Sequence, residues 1–184
     1  LAGRLDRLED RLADDGLLFA DDVGALVDRL QVTMQGLDVR PQRPSAVLLL
    51  MGSAAGVADT TSRAIAEELF GGADRIVELD LGHFNDTEDL NTLVGPPPGY
   101  IGFEERRPLH ALTQMPWSVL LCKNVDGCHP EIANVLVQAL TDGVLTERSG
   151  HRIYLSDAVV VLTAHALGGG VQEVGFSPPG PDGE

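Results

Sequence analysis

Cysteine is scarce in this chain, with two among 184 residues; aromatics make up 4%, and Lys plus Arg number 13 against 28 Asp plus Glu. Each shortage excludes something. Two cysteines, Cys122 inside an apolar run and Cys128 beyond it, cannot staple a disulfide scaffold, and two reduced thiols in a cytoplasmic protein are the expectation. The net charge of −15 argues against nucleic acid or an anionic membrane surface as the main partner, since either is met by a basic face. No apolar run approaches the roughly 20 residues of a membrane span, and no signal-peptide pattern is visible. His83, His110, His129 and His151 fall at no metal-ligand spacing, Cys122, Cys128 and His129 form an incomplete set, and no metal is expected. A Gly-x-Ser-x-Gly elbow for a nucleophilic serine is missing too.

What is present is an apolar share of 43%, enough for one well-buried core. The chain is organised around Ala46 to Phe70. The unbroken run Ala46 to Met51 suits a strand buried on both faces. The small-residue loop Gly52 to Val57 follows it, and then a helical pattern with Ile65 and Leu69 on one face. Strand, tight loop and helix form the frame of a phosphate-binding loop. Such a loop also needs a second Gly, a Lys for the outer phosphates and a Ser or Thr for magnesium. Counted from Gly52, those stations hold Val57, Ala58 and Asp59, and a shift of one puts Ala58, Asp59 and Thr60 there; Gly56 lies just before them. In neither register is there a Lys.

Along the rest of the chain, Leu1, Leu5, Leu8 and Leu12 mark an amphipathic helix, and Asp21 to Gln35 a second one stopped by Gly36. Arg75 to Leu81 alternates as a strand, Asp86 to Leu93 and Leu109 to Met115 read as short helices, and Trp117 to Cys122 as a buried strand. A helix over Pro130 to Thr141, a hairpin around Ser149-Gly150 and a buried strand Ala158 to Thr163 complete the pattern. Continuous apolar strands alternating with helices predict a mostly parallel sheet covered on both faces, with any ligand at the strands' carboxyl ends. That rim holds the loop after Met51, Lys123-Asn124 and Ala164-His165.

Gly95-Pro96-Pro97-Pro98-Gly99-Tyr100-Ile101-Gly102-Phe103-Glu104-Glu105 resembles the pore-loop segment of Clp-type AAA+ protein unfoldases, the family of ClpA, ClpB and ClpC. His129-Pro130, Asn134-Val135-Leu136, Gln138, Leu140, Asp142-Gly143, Leu145-Thr146 and Gly150 resemble the same family's stretch after its second acidic motif, and Ala66-Glu67 with Leu69-Phe70 the helix after its phosphate loop. The likeness, to the second ATPase module, runs from about Leu17 to Gly168. It implies an α/β fold: a three-layer α/β/α P-loop NTPase-like AAA+ large subdomain over 17–170. Residues 1–16 are then a helical extension, and 171–184 a flexible tail or the start of a missing segment. With Leu1 in place of Met and a Pro/Gly-rich end, the chain reads as a piece of a longer protein.

The departures from the family cluster at the nucleotide site. Where family members carry Gly-x-x-x-x-Gly-Lys-Thr, this chain has Gly52 to Asp59; where they carry the metal-binding Asp and water-orienting Glu, it has Lys123-Asn124; where they carry an Asn sensing the γ-phosphate, it has His165. The resemblance therefore implies a module without ATP hydrolysis, with ATP and magnesium expected to bind weakly or not at all, and no cofactor. Asp59 and Lys123 would face each other across the vacant metal site as an ion pair, the alternative being two solvated side chains at a rim. Gly99, Tyr100, Ile101 and Gly102 are implied as a contact for substrate polypeptide or a protein partner. Tyr100 packed on the surface, and His165 as an ordinary satisfied polar residue, are the plainer readings. Three functions stay open: a degenerate module working as scaffold, regulator or substrate contact in a ring with other AAA+ modules; the ATP-binding domain of an active unfoldase or chaperone; and a stand-alone protein-binding module.

Overall fold

The strands that carry the candidate rim are short and branched-aliphatic, and they pair in parallel. In the computed structural model, which describes residues 2–14, 20–100 and 107–165, β1 (Ala46–Met51), β2 (Ile76–Asp80), β3 (Ser118–Lys123) and β6 (Ala158–Ala164) form a four-stranded sheet in the order β1-β6-β3-β2. All three pairings are parallel, with Met51 opposite Ala164 and Asp80 opposite Lys123. The carboxyl ends of the four strands therefore share one rim.

Helices cover both faces. On one side α1 (Ala2–Asp14), α2 (Ala20–Met34) and α3 (Ala58–Ile65) pack on Val119, Leu121, Val159 and Val161. On the other, α4 (Leu90–Val94), α5 (His110–Gln114) and α6 (Pro130–Asp142) pack on Leu120, Cys122 and Val160. Alternate residues of one strand thus feed opposite cores, the period-2 geometry of a sheet buried on both faces. This is the three-layer α/β/α arrangement expected. The hairpin of β4 (Val144–Thr146) and β5 (Arg152–Tyr154) is antiparallel and joins the second core through Leu145 and Ile153.

One feature departs from the sequence reading. Among the described residues β1 is an edge strand rather than one buried on both faces: Val47, Leu49 and Met51 are 48%, 44% and 41% exposed, while Ala46 and Leu50 are buried. Apolar composition alone does not distinguish a central strand from an edge. The first helix shares the first core through Leu5, Leu8 and Leu12. Its outer face is tied to the stretch after α3: Arg4 donates to the Leu69 carbonyl, Arg7 pairs with Glu68 at 3.1 Å, and Arg11 pairs with Glu67 at 2.8 Å. That stretch, Ala66–Phe70, is a π-helical turn closed by Gly71 at φ 90°.

Candidate functional site

The rim is assembled from the ends of β1, β2, β3 and β6. Past Met51 the chain does not form an open loop. Gly52–Val57 is a 3-10 helix running straight into α3, and its N–H groups close onto carbonyls three residues back, that of Ala58 onto Ala55. Within this turn Gly52 alone takes a positive φ, of 59°. Amides that would face an anion in a phosphate loop are thereby committed within the turn. Gly56 and Thr60 are exposed, Val57 is half-buried and Ala58 is buried beneath the start of α3.

Asp59, in the first turn of α3, projects toward β3. The Lys123 ammonium lies 2.7 Å from Asp59 Oδ1 and 2.8 Å from Glu78 Oε1. Partial burial works to lower the Lys123 pKa, but hydrogen bonds from its ammonium to the two carboxylates outweigh that and hold the pKa above its ordinary 10.5. The expected Asp59–Lys123 pair is present in the structure, with a third member, Glu78, that the sequence reading missed. Strand alternation puts Glu78 and Asp80 on one face of β2, but only the β2–β3 adjacency brings that face to Lys123.

Beside this triad runs a second network. Asn124 takes a left-handed backbone, φ 57°. Its Nδ2 donates to Asp80 Oδ1 at 2.8 Å, its Oδ1 lies 3.0 Å from His165 Nε2, and its N–H donates to Thr163 Oγ1. The Asn124 amide, followed by the Gly82 N–H, holds the Asp80 carboxyl below its ordinary 3.8. His165 also donates its backbone N–H to Asp126. Of the residues singled out from sequence, Asp59 and Lys123 meet directly, as do Asn124 and His165. A groove of about 600 Å³ between α2 and β1 includes Ser53, Ala54 and Val57 in its lining, but not Asp59, Lys123, Asn124 or His165.

The Tyr100 loop follows α4. Tyr100 is 69% exposed, and its N–H donates to the Pro97 carbonyl. With Pro98 second and Gly99 third at φ 90°, this is a type II turn, which requires glycine there. Ile101 and Gly102 lie outside the described residues. Sequence reading also missed Arg107 and Glu147, charged residues buried to 8% and 3% exposure near the base of this loop; charges in a polar-looking stretch give no sign of burial.

Comparison with known proteins follows the same lines. The family described as AAA domain (Cdc48 subfamily) matches residues 43–173. Chaperone protein ClpB of Aquifex aeolicus is 34% identical over 164 residues, 88% of this chain and 16% of that protein. The ATP-dependent Clp protease ATP-binding subunit ClpC of Staphylococcus saprophyticus is 32% identical over 173 residues, 93% of this chain and 20% of that protein. A solved structure described as a closed-state cryoEM reconstruction of Hsp104 with ATPyS and FITC casein superposes with a TM-score of 0.77 at 26% identity, covering 89% of this chain and 28% of that one. The chain spans a fifth or less of the length of these curated relatives.

Proposed function

Because the chain belongs to the AAA domain (Cdc48 subfamily) family, as a Clp-type AAA+ module, we propose that it is a catalytically degenerate member, a scaffold, regulatory or substrate-contacting module of a larger assembly. The observation that carries this reading is the Lys123 ammonium held between Asp59 and Glu78. In the family a loop hydroxyl and a third-strand carboxylate meet there at magnesium; here an internal cation stands at that station. The donor set does not suit magnesium, which takes oxygen ligands and no ammonium. The 3-10 turn leaves few free amides for phosphates, and no lysine stands in the loop to reach them. Phosphoryl transfer rests on positioning and electrostatics, so these changes act together against it.

Partner contact is assigned to the exposed Tyr100 turn, with Gly99, Ile101 and Gly102 beside it, and the ligand class is an extended polypeptide or a protein partner in a ring of AAA+ modules. Among the described residues no helix is long and apolar enough to cross a membrane, and with Cys122 and Cys128 both free the cytoplasm is the setting we infer. Calorimetric titration with ATP and ADP, each with and without magnesium, tests the pocket. No heat from either is the expected result. Magnesium-dependent binding at micromolar strength would overturn it in favour of an ATP-binding unfoldase domain.

A further inference from the structure

Buried charge is costly unless every member finds a partner. Glu147, at the end of the β4 arm, has a side chain only 1% exposed, yet both its oxygens are engaged. Oε2 accepts from Arg107 at 2.8 Å and from the Ser149 hydroxyl at 3.1 Å, and Oε1 lies 2.6 Å from His110 Nε2. The carboxylate thus joins the start of α5 to the turn of the β4–β5 hairpin.

The same cluster carries the first residue of the Tyr100 loop. The Arg107 guanidinium lies so close to Gly95 that a Cβ there would come within 2.3 Å of it, and Gly95 is held at φ 84°. From the hairpin, Arg148 donates a guanidinium N–H to the Gly95 carbonyl at 2.9 Å and its backbone N–H to the Val94 carbonyl at 2.8 Å. Beyond Gly95 the chain is Pro96-Pro97-Pro98, three residues of fixed φ that behave as a stiff spacer. The type II turn then sets Tyr100 at its tip. The spacer between Gly95 and the turn thus has few soft torsions in which a displacement at Gly95 could be lost.

We propose that Glu147 is a positioning residue for Tyr100: through Arg107 and the hairpin it fixes the base of a proline strut, and so fixes where the exposed ring meets an extended polypeptide. The polypeptide rests on the function proposed above; the positioning does not.

Two measurements keep the claims apart. The sequence has two tyrosines, Tyr100 and Tyr154, so 3-fluorotyrosine labelling yields two fluorine resonances, assigned with Tyr100→Phe. Glu147→Gln puts an amide N–H₂ against Arg107 and is expected to shift or broaden the Tyr100 resonance. Arg148→Ala, on the exposed side of the cluster, is expected to do the same and carries the test if Glu147→Gln fails to fold. An unmoved Tyr100 resonance in a folded variant overturns the proposal. Binding of fluorescein-labelled casein, read by anisotropy, is expected to weaken about tenfold in Glu147→Gln and to show no further loss when Glu147→Gln is added to Tyr100→Ala, since residues acting through one contact are not additive. Additive losses would make Glu147 a general support of the fold and overturn the positioning role. If Tyr100→Ala leaves casein binding unchanged, the polypeptide reading fails, and the resonance still decides the positioning.

Discussion

Lys123, at the end of β3, and Asp59, in the first turn of α3, are joined by an ion pair of 2.7 Å across the rim of the sheet. Lys123 is also the single lysine in the sequence, the other twelve basic residues being arginine. Its chemistry can therefore be followed alone.

In a chain labelled with ¹³C-lysine, a single side-chain ¹³Cε signal should titrate above the ordinary 10.5. A lysine raised on folding contributes stability that is fully present below pH 10.5 and is lost as pH rises through the folded value. Urea unfolding from pH 9 upward is expected to show that loss, and Lys123→Met to remove it. Because Asp59 and Glu78 are half-exposed or more, the cost of Lys123→Met at neutral pH should be about 1 kcal/mol or less.

Asn124 couples an unusual backbone to two side-chain partners. Asn124→Ala is expected to destabilise by roughly 1–3 kcal/mol, combining left-handed strain with lost hydrogen bonds, whereas Asn124→Gly relieves the strain and costs less. In both variants the Asp80 carboxyl, now held low first by Asn124, should titrate closer to 3.8. A depressed carboxyl contributes stability above pH 3.8 that is lost as pH falls through its folded value. Carboxyl ¹³C titration reads the shift, and acid unfolding its consequence.

Gly36 and Gly143 share a φ of 72°, but a Cβ at Gly36 meets open space, while at Gly143 it would lie 1.7 Å from the Gln42 carbonyl. Gly36→Ala should cost about 1 kcal/mol. Gly143→Ala should cost about 3 kcal/mol or more, because the linker before β1 must move off the end of α6. Urea midpoints of the two variants decide it.

Burial pushes the Cys122 thiol up to about 12 and raises Cys128 less. At pH 8 iodoacetamide should modify Cys128 first and leave Cys122 untouched until urea unfolds the chain.

The alternation of apolar strands with helices was enough to read the layers and most element positions, since each residue's neighbours in sequence carry that signal. The Asp59–Lys123 pair was legible for a different reason: the resemblance assigns both positions to one metal site, so two odd residues at separate places in the chain had a common address. Glu78 and Glu147 had none. Their contacts depend on which strands lie side by side and how a hairpin folds back, neither of which is written in local periodicity. β1 was misread as buried on both faces because Val47, Leu49 and Met51 are apolar whether or not anything covers them.

The triad at the rim also acts as a one-way gate in sequence space. Replacing Lys123 by aspartate alone would gather three carboxylates with no cation among them, and placing a hydroxyl at position 59 alone would leave Lys123 still paired with Glu78. Neither single step approaches a working magnesium site, and the first worsens the fold. For the degenerate module proposed above, each route toward a magnesium site is therefore uphill at its first change.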